Sequence, residues 1–249
     1  MTKQVVPSAY FRDCAWTASD YQKLQQFLRD HADLEYQHFN ERTIPGAEGT
    51  TYGVRLSILR PLSKEIAKGP HWLAYLNSHK ESFYEETLLE GMVISYVKMP
   101  AEEKFRWIDH FIPQISNWAL CDCFINKNLL AKMNAEFWPR LPLYLQSENP
   151  WSKRFAYGVM MSYYLEPEFI EEVFKFILAY PSDFYYVQMM KAWLLADAFI
   201  KQRDAAWKFL KQNKKALGAE LMKMTVRKIR DSYRVSEADK NLVLALKEI

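Results

Sequence analysis

Apolar residues along most of the chain recur every three to four positions, the period of a helix with one buried face. Thr17 or Ser19 would cap a first helix running to about Asn40, with Tyr21, Leu24, Phe27 and Leu28 on one face. A loop-like stretch, Ile44–Gly53, follows. A second helix is expected from a cap near Ser57 to the stop signal Gly69-Pro70. From there the pattern repeats as a first helix, a polar break and a longer second helix. The second helices are expected to begin near Tyr84, Trp118, Trp151 and Tyr185, at intervals of 34, 33 and 34 residues, with a less aromatic one near Ala219. Regular recurrence at this period means stacked helical hairpins rather than a closed bundle.

The expected fold is therefore all-α, a solenoid of antiparallel helix pairs, curved, with the second helices lining a concave groove. The tetratricopeptide consensus is missing, and short HEAT-like pairs fit better. We read residues 1–249 as one repeat domain, with a helical cap over about 1–69, repeats over about 70–235 and a closing helix over about 236–249. Seven glycines are too few for an all-β chain or for glycine-rich nucleotide loops.

Composition excludes several chemistries. Three cysteines, Cys14, Cys121 and Cys123, suit neither a disulfide framework nor a zinc site. His31, His38, His71, His79 and His110 form no metal-binding spacing, and His38 and His110 read as surface or cap residues. No phosphate loop or hydrolase elbow motif occurs. There is no signal-like N-terminus and no apolar stretch long enough for a bilayer, so a cytoplasmic protein without metal or cofactor is expected. Charge is uneven: between Phe199 and Val235 stand 11 Lys or Arg against three acids, although the whole chain carries only +3. A basic end on an acidic body is the footprint of a polyanion binder, or simply a solvated surface.

Aligning the four second helices on their aromatic anchors singles out one residue. One turn beyond each anchor the chain reads Leu88, Asp122, Phe155 and Met189, so a carboxylate replaces an apolar residue. Arg154 is almost level with it in the next repeat, and Trp193 lies on the same stripe one repeat further. Burying an acid is costly unless it is paired or functional. Asp122 and Arg154 are thus either an ion pair tying two repeats together or part of a site. Trp118 and Trp193 are either core or aromatic walls.

The segment NWALCDCF, with Trp118 and Asp122, resembles the signature helix of the DNA alkylation repair (AlkD-like) glycosylases. YGVRLSILRPLSKEIAK, WSKRF, YYVQMMKAW and KIRDSYRVS follow that family's order, and the segments spread over residues 36–235. The resemblance implies a HEAT-like solenoid that holds duplex DNA and releases cationic N3- or N7-alkylpurines. Asp122 would be the catalytic carboxylate, Trp118 and Trp193 the walls of the sugar cleft, and Arg154 a phosphate or site contact. Ala119 and Leu194-Leu195-Ala196 depart from the family, which often has an acid after the first tryptophan and tends to place an Arg after the second.

Cleaving an N-glycosidic bond builds positive charge on the sugar. An alkylated purine is already cationic and leaves neutral, so one carboxylate without a general acid suffices. Lys191, Arg227, Lys228 and Arg230 are candidate phosphate contacts. The expected partner is duplex DNA, bound by a monomer. A non-catalytic HEAT-like binder of DNA structure is the alternative. A peptide-binding solenoid is a third reading, and it has no need of the basic end.

Overall fold

The aromatic anchors mark true helix starts. The computed structural model describes residues 8–78, 80 and 83–246, and among these there is no strand. The chain divides between Ala131 and Lys132 into two compact units. In the first, α1 spans Ala18–Asp30, α2 Leu34–Thr43, α3 Leu56–Lys68, α4 Trp72–Asn77, α5 Tyr84–Tyr96, α6 Ala101–Phe111 and α7 Trp118–Phe124. In the second, α8 spans Asn134–Phe137, α9 Leu141–Gln146, α10 Pro150–Tyr163, α11 Ile170–Ala179, α12 Tyr185–Lys201, α13 Arg203–Gln212, α14 Lys214–Leu217, α15 Ala219–Asp231 and α16 Glu237–Leu242. His79 lies outside the described residues, as does the end of the expected closing helix, 247–249.

Within each unit the second helices stack on one another. In unit 1, α3 packs on α5 and α5 on α7; in unit 2, α10 packs on α12 and α12 on α15, while α11 meets α13. This is the helical-repeat architecture that the sequence period implies. The middle helices are enclosed. On α5, Leu88, Leu89, Met92, Val93 and Ile94 are all buried, and so are its acids Glu85, Glu86 and Glu90. A helix buried on nearly every side has no clean polar face for periodicity to detect.

The first helix is shorter than its pattern predicts. Thr17 and Asp20 form a capping box that starts α1, yet the helix stops at Asp30. The Asp33 side chain accepts the Tyr36 amide at 3.0 Å and starts α2 afresh. The break is fixed from the loop: the Asp33 amide donates to the Gly53 carbonyl at 3.1 Å. A Cβ on Gly53, whose φ is +82°, would stand 2.6 Å from the Asp33 carbonyl oxygen. At the next start Arg55, not Ser57, is the N-cap of α3, and no side chain caps it.

The loop 44–53 is itself held by α5. Glu85 Oε1 accepts from Thr51 Oγ1 at 2.7 Å, the Gly53 amide at 2.8 Å and the Val54 amide at 3.1 Å. Its Oε2 accepts from the Tyr52 amide at 2.9 Å. Glu86 takes the hydroxyls of Tyr21 and Tyr52, joining α1 and the loop to the same helix.

Candidate functional site

Helix α7 is two turns long and carries the signature residues. Asn117 caps it, accepting the Leu120 amide on its side-chain oxygen at 3.0 Å. Trp118 and Asp122, one turn apart, share a face. Both are half-buried, whereas Ala119, Leu120, Cys121 and Phe124 are buried. The helix therefore turns its indole and its carboxylate toward the boundary with solvent, as a reacting group must be. Trp118 is also anchored: its Nε1 donates to the Thr43 carbonyl at the end of α2, at 3.0 Å. That bond fixes the plane of the ring.

The field around Asp122 can be read from its neighbour. Burial pushes the Cys123 thiol up to about 11, the Arg60 guanidinium draws it down, and the Asp122 carboxylate raises it further. Cys123 is consequently a neutral thiol at pH 7 and no nucleophile. Arg60 of α3 belongs to the same electrostatic neighbourhood. So does α2, whose Tyr36 phenol is raised by burial and also feels Cys123. The Arg55 guanidinium stands 4.8 Å from the Tyr36 ring centroid. The chain pattern gave no hint that α2 and α3 border α7.

In unit 2, Trp193 of α12 is 40% exposed, so it is no core residue. Lys228 of α15 places its Nζ 4.1 Å from the centroid of that ring. Arg227 and Arg230 are exposed on α15, with Arg227 3.7 Å from Asp231. Lys228 itself is half-buried.

Two of the expected contacts are buried. Lys191 is 2% exposed. Its ammonium donates to the Ile177 and Tyr180 carbonyls at the end of α11, at 3.1 and 2.6 Å, over the Tyr157 ring. It caps a helix and is not available to a phosphate. Burial lowers its pKa to about 8. Arg154 is 1% exposed and donates from Nη1 to the Tyr186 carbonyl at 2.6 Å, beside the ring pair Trp151–Tyr186. It fastens α10 to α12 rather than reaching out to the DNA backbone. Both positions are polar on helices enclosed by packing, where sequence spacing does not say which way a long side chain runs.

The family departures have the same origin. Ala119, Leu194, Leu195 and Ala196 are all buried, so an acid or an Arg at these places would enter the core. Among the described residues no group of three or more His, Cys, Asp or Glu comes together to hold a metal ion, and no helix is long and apolar enough to cross a membrane.

Compared with known families, residues 24–229 match the family described as DNA alkylation repair enzyme. The chain belongs to that family. No curated protein and no solved structure matches it. The family match runs through α7, α12 and α15, so Asp122, Trp118, Trp193 and Lys228 all fall inside it. A role in DNA alkylation repair follows, with DNA as the substrate.

Proposed function

We propose that this family member is a HEAT-like DNA glycosylase that hydrolyses the N-glycosidic bond of cationic N3- and N7-alkylpurines in duplex DNA. The observation that carries the reading is the pair on α7: a half-buried carboxylate, Asp122, one turn from an indole whose ring plane is fixed by the Thr43 carbonyl. Asp122 stabilises the sugar as it becomes oxocarbenium-like and orients the attacking water. The base, already positively charged, departs neutral, so no proton donor is required. Trp118 presents its π-face to the same developing charge, an effect of about 0.5–2 kcal/mol. Such a term alone gives at most about thirty-fold in rate, so the carboxylate supplies the larger share.

Unit 2 contributes grip. Lys228, Arg227 and Arg230 contact phosphates without reading sequence, which makes binding salt-dependent. Trp193 is a further aromatic contact for the deoxyribose backbone. Arg154 supports that surface from within by holding the start of α12.

The test is release of free 7-methylguanine from a modified duplex, with protein in excess, by wild type and Asp122→Asn. The expected result is a loss of about a hundred- to a thousand-fold in the variant. Equal release by both proteins rules out the role of Asp122. Salt-dependent duplex binding without any release supports the second reading, a binder of DNA structure. One observation favours that alternative: the Trp193 face already carries an ammonium, that of Lys228.

A further inference from the structure

Unit 1 contains a basic surface that the charge pattern of the chain did not reveal. A pocket of about 530 Å³ is lined by Arg12, Lys64, Lys68 and Lys98 together with Trp72 and Tyr96. Arg12 reaches it because the turn Ser8–Arg12 crosses the end of α3 at very close range. A Cβ on Gly69 would lie 1.8 Å from the Arg12 carbonyl oxygen, so only glycine lets the two segments meet. The Lys64 ammonium stands 5.5 Å from the Tyr96 ring centroid, on one wall of the pocket.

The cations continue beyond the pocket. Arg60, Lys64 and Lys68 follow one another at four-residue spacing on α3, which places them on one face with a rise of about 6 Å between neighbours. All three are exposed. At its far end the row approaches α7, since the Arg60 charge acts on both the Cys123 thiol and the Tyr96 phenol. The row thus runs from beside the residue that follows Asp122 to the pocket under Arg12.

Little opposes this charge. Glu65 binds Lys68 at 2.8 Å. Arg12, Arg60, Lys64 and Lys98 make no ion pair among the described residues. Helix dipoles explain a lysine in a last turn, such as Lys68, but not Arg60 in the middle of α3. Arg60 and Lys64 are unpaired one turn apart on α3, and Arg12 and Lys98 are unpaired at the pocket beside them; cations so placed repel one another, and they suit a ligand that carries several negative charges in succession. A lone small anion in the pocket would leave Arg60, which is outside the lining, unanswered.

We propose that Arg60, Lys64, Lys98 and Arg12 form a phosphate track for one strand of duplex DNA, leading from the Asp122 end of unit 1 to the pocket walled by Trp72 and Tyr96. The track rests on the glycosylase reading only for its substrate; it concerns binding, not bond cleavage. It holds the strand by its backbone alone and so adds affinity without sequence preference.

The test is a salt titration of binding to an unmodified duplex by wild type, by the Lys64→Gln/Lys98→Gln double variant, and by Lys64→Arg/Lys98→Arg. Each phosphate contact contributes a slope of about −0.9 in log K against log salt. The glutamine variant is expected to lose close to two units of slope and to bind about ten-fold or more weakly at moderate salt. The arginine variant should keep both, which separates charge from folding. An unchanged slope in the glutamine variant, with wild type binding duplex, overturns the track and leaves the role of Asp122 standing. Loss of inorganic phosphate binding with duplex binding intact also overturns it, in favour of a site for the free anion. Wild type that binds no duplex defeats the track and the glycosylase reading together. A track that holds while Asp122→Asn still releases base sinks the catalytic role alone.

Discussion

The ammonium of Lys228 and the indole of Trp193 face each other at 4.1 Å, across the contact between α15 and α12. Lys228 thereby joins the basic helix to the one exposed tryptophan of α12. We predict that Lys228→Ala weakens binding to any duplex and lowers the salt slope by about 1. A double-mutant cycle with Trp193→Ala should show coupling of about 0.5–1 kcal/mol in stability, typical of an exposed cation–π pair. Strictly additive effects would mean that the two side chains only happen to be close.

Trp118 offers a way to separate ring chemistry from ring placement. Phenylalanine keeps a π-face but has no donor for the Thr43 carbonyl. Trp118→Phe should cost about 1 kcal/mol of stability. It should also slow 7-methylguanine release several-fold at saturating protein. Release at the wild-type rate would show that the anchored plane of the ring is irrelevant to the reaction.

Glu85 is expected to be a stability residue with a large effect. Its two carboxylate oxygens accept three backbone amides and one hydroxyl from the loop 51–54. Glutamine in its place turns an NH2 toward at least one of these donors, at a cost of about 1–3 kcal/mol. Thermal unfolding should fall by several degrees, at roughly 2–4 °C per kcal/mol for a chain of this size. A melting temperature within a degree of wild type would contradict the hydrogen-bond arrangement.

Lys104 gives a pH signature. It is 1% exposed, donates to the Ser95 and Val97 carbonyls at 3.2 and 2.7 Å and to that of Ile94, and burial lowers its pKa to about 8. The folded protein releases this proton near pH 8, while the unfolded chain keeps it to about 10.4. Between those values the unfolded state binds more protons, so the Lys104 contribution to stability rises with pH. Wild type should therefore gain on Lys104→Met between pH 7 and 10, by on the order of 1–3 kcal/mol in chemical denaturation. A constant difference would mean that the carbonyls hold the charged form inside.

The second helices were legible because large aromatics mark the point where a buried helix begins. Tyr84, Trp118, Tyr185 and Ala219 open their helices as expected, and Pro150 precedes Trp151 by one residue. Asp122 was legible as an exception to an apolar stripe. The break between α1 and α2 was not, because it depends on Gly53, twenty residues beyond Asp33. Lys191, expected at a phosphate, and Arg154, expected either as an ion-pair partner of Asp122 or as a phosphate or site contact, are buried, because periodicity identifies a polar position but not whether a neighbour's carbonyl receives it. The row Arg60, Lys64, Lys68 escaped notice because Glu65 dilutes the local charge count, whereas on the helix it pairs with Lys68 and leaves Arg60 and Lys64 unopposed. Glu85 and Glu86 look like ordinary first-turn acids until the loop is seen folding over them.

The thiols have a bearing on survival in the chemistry this family answers. Methylating agents attack thiolates far more readily than thiols. Burial raises Cys14 and Cys123 to about 11, which leaves roughly one molecule in ten thousand ionised at pH 7. Iodoacetamide should label the folded chain slowly at neutral pH and the unfolded chain much faster; equal rates would refute the point. A repair protein so built can work amid the electrophiles that damage its substrate without itself becoming a casualty beside its own carboxylate.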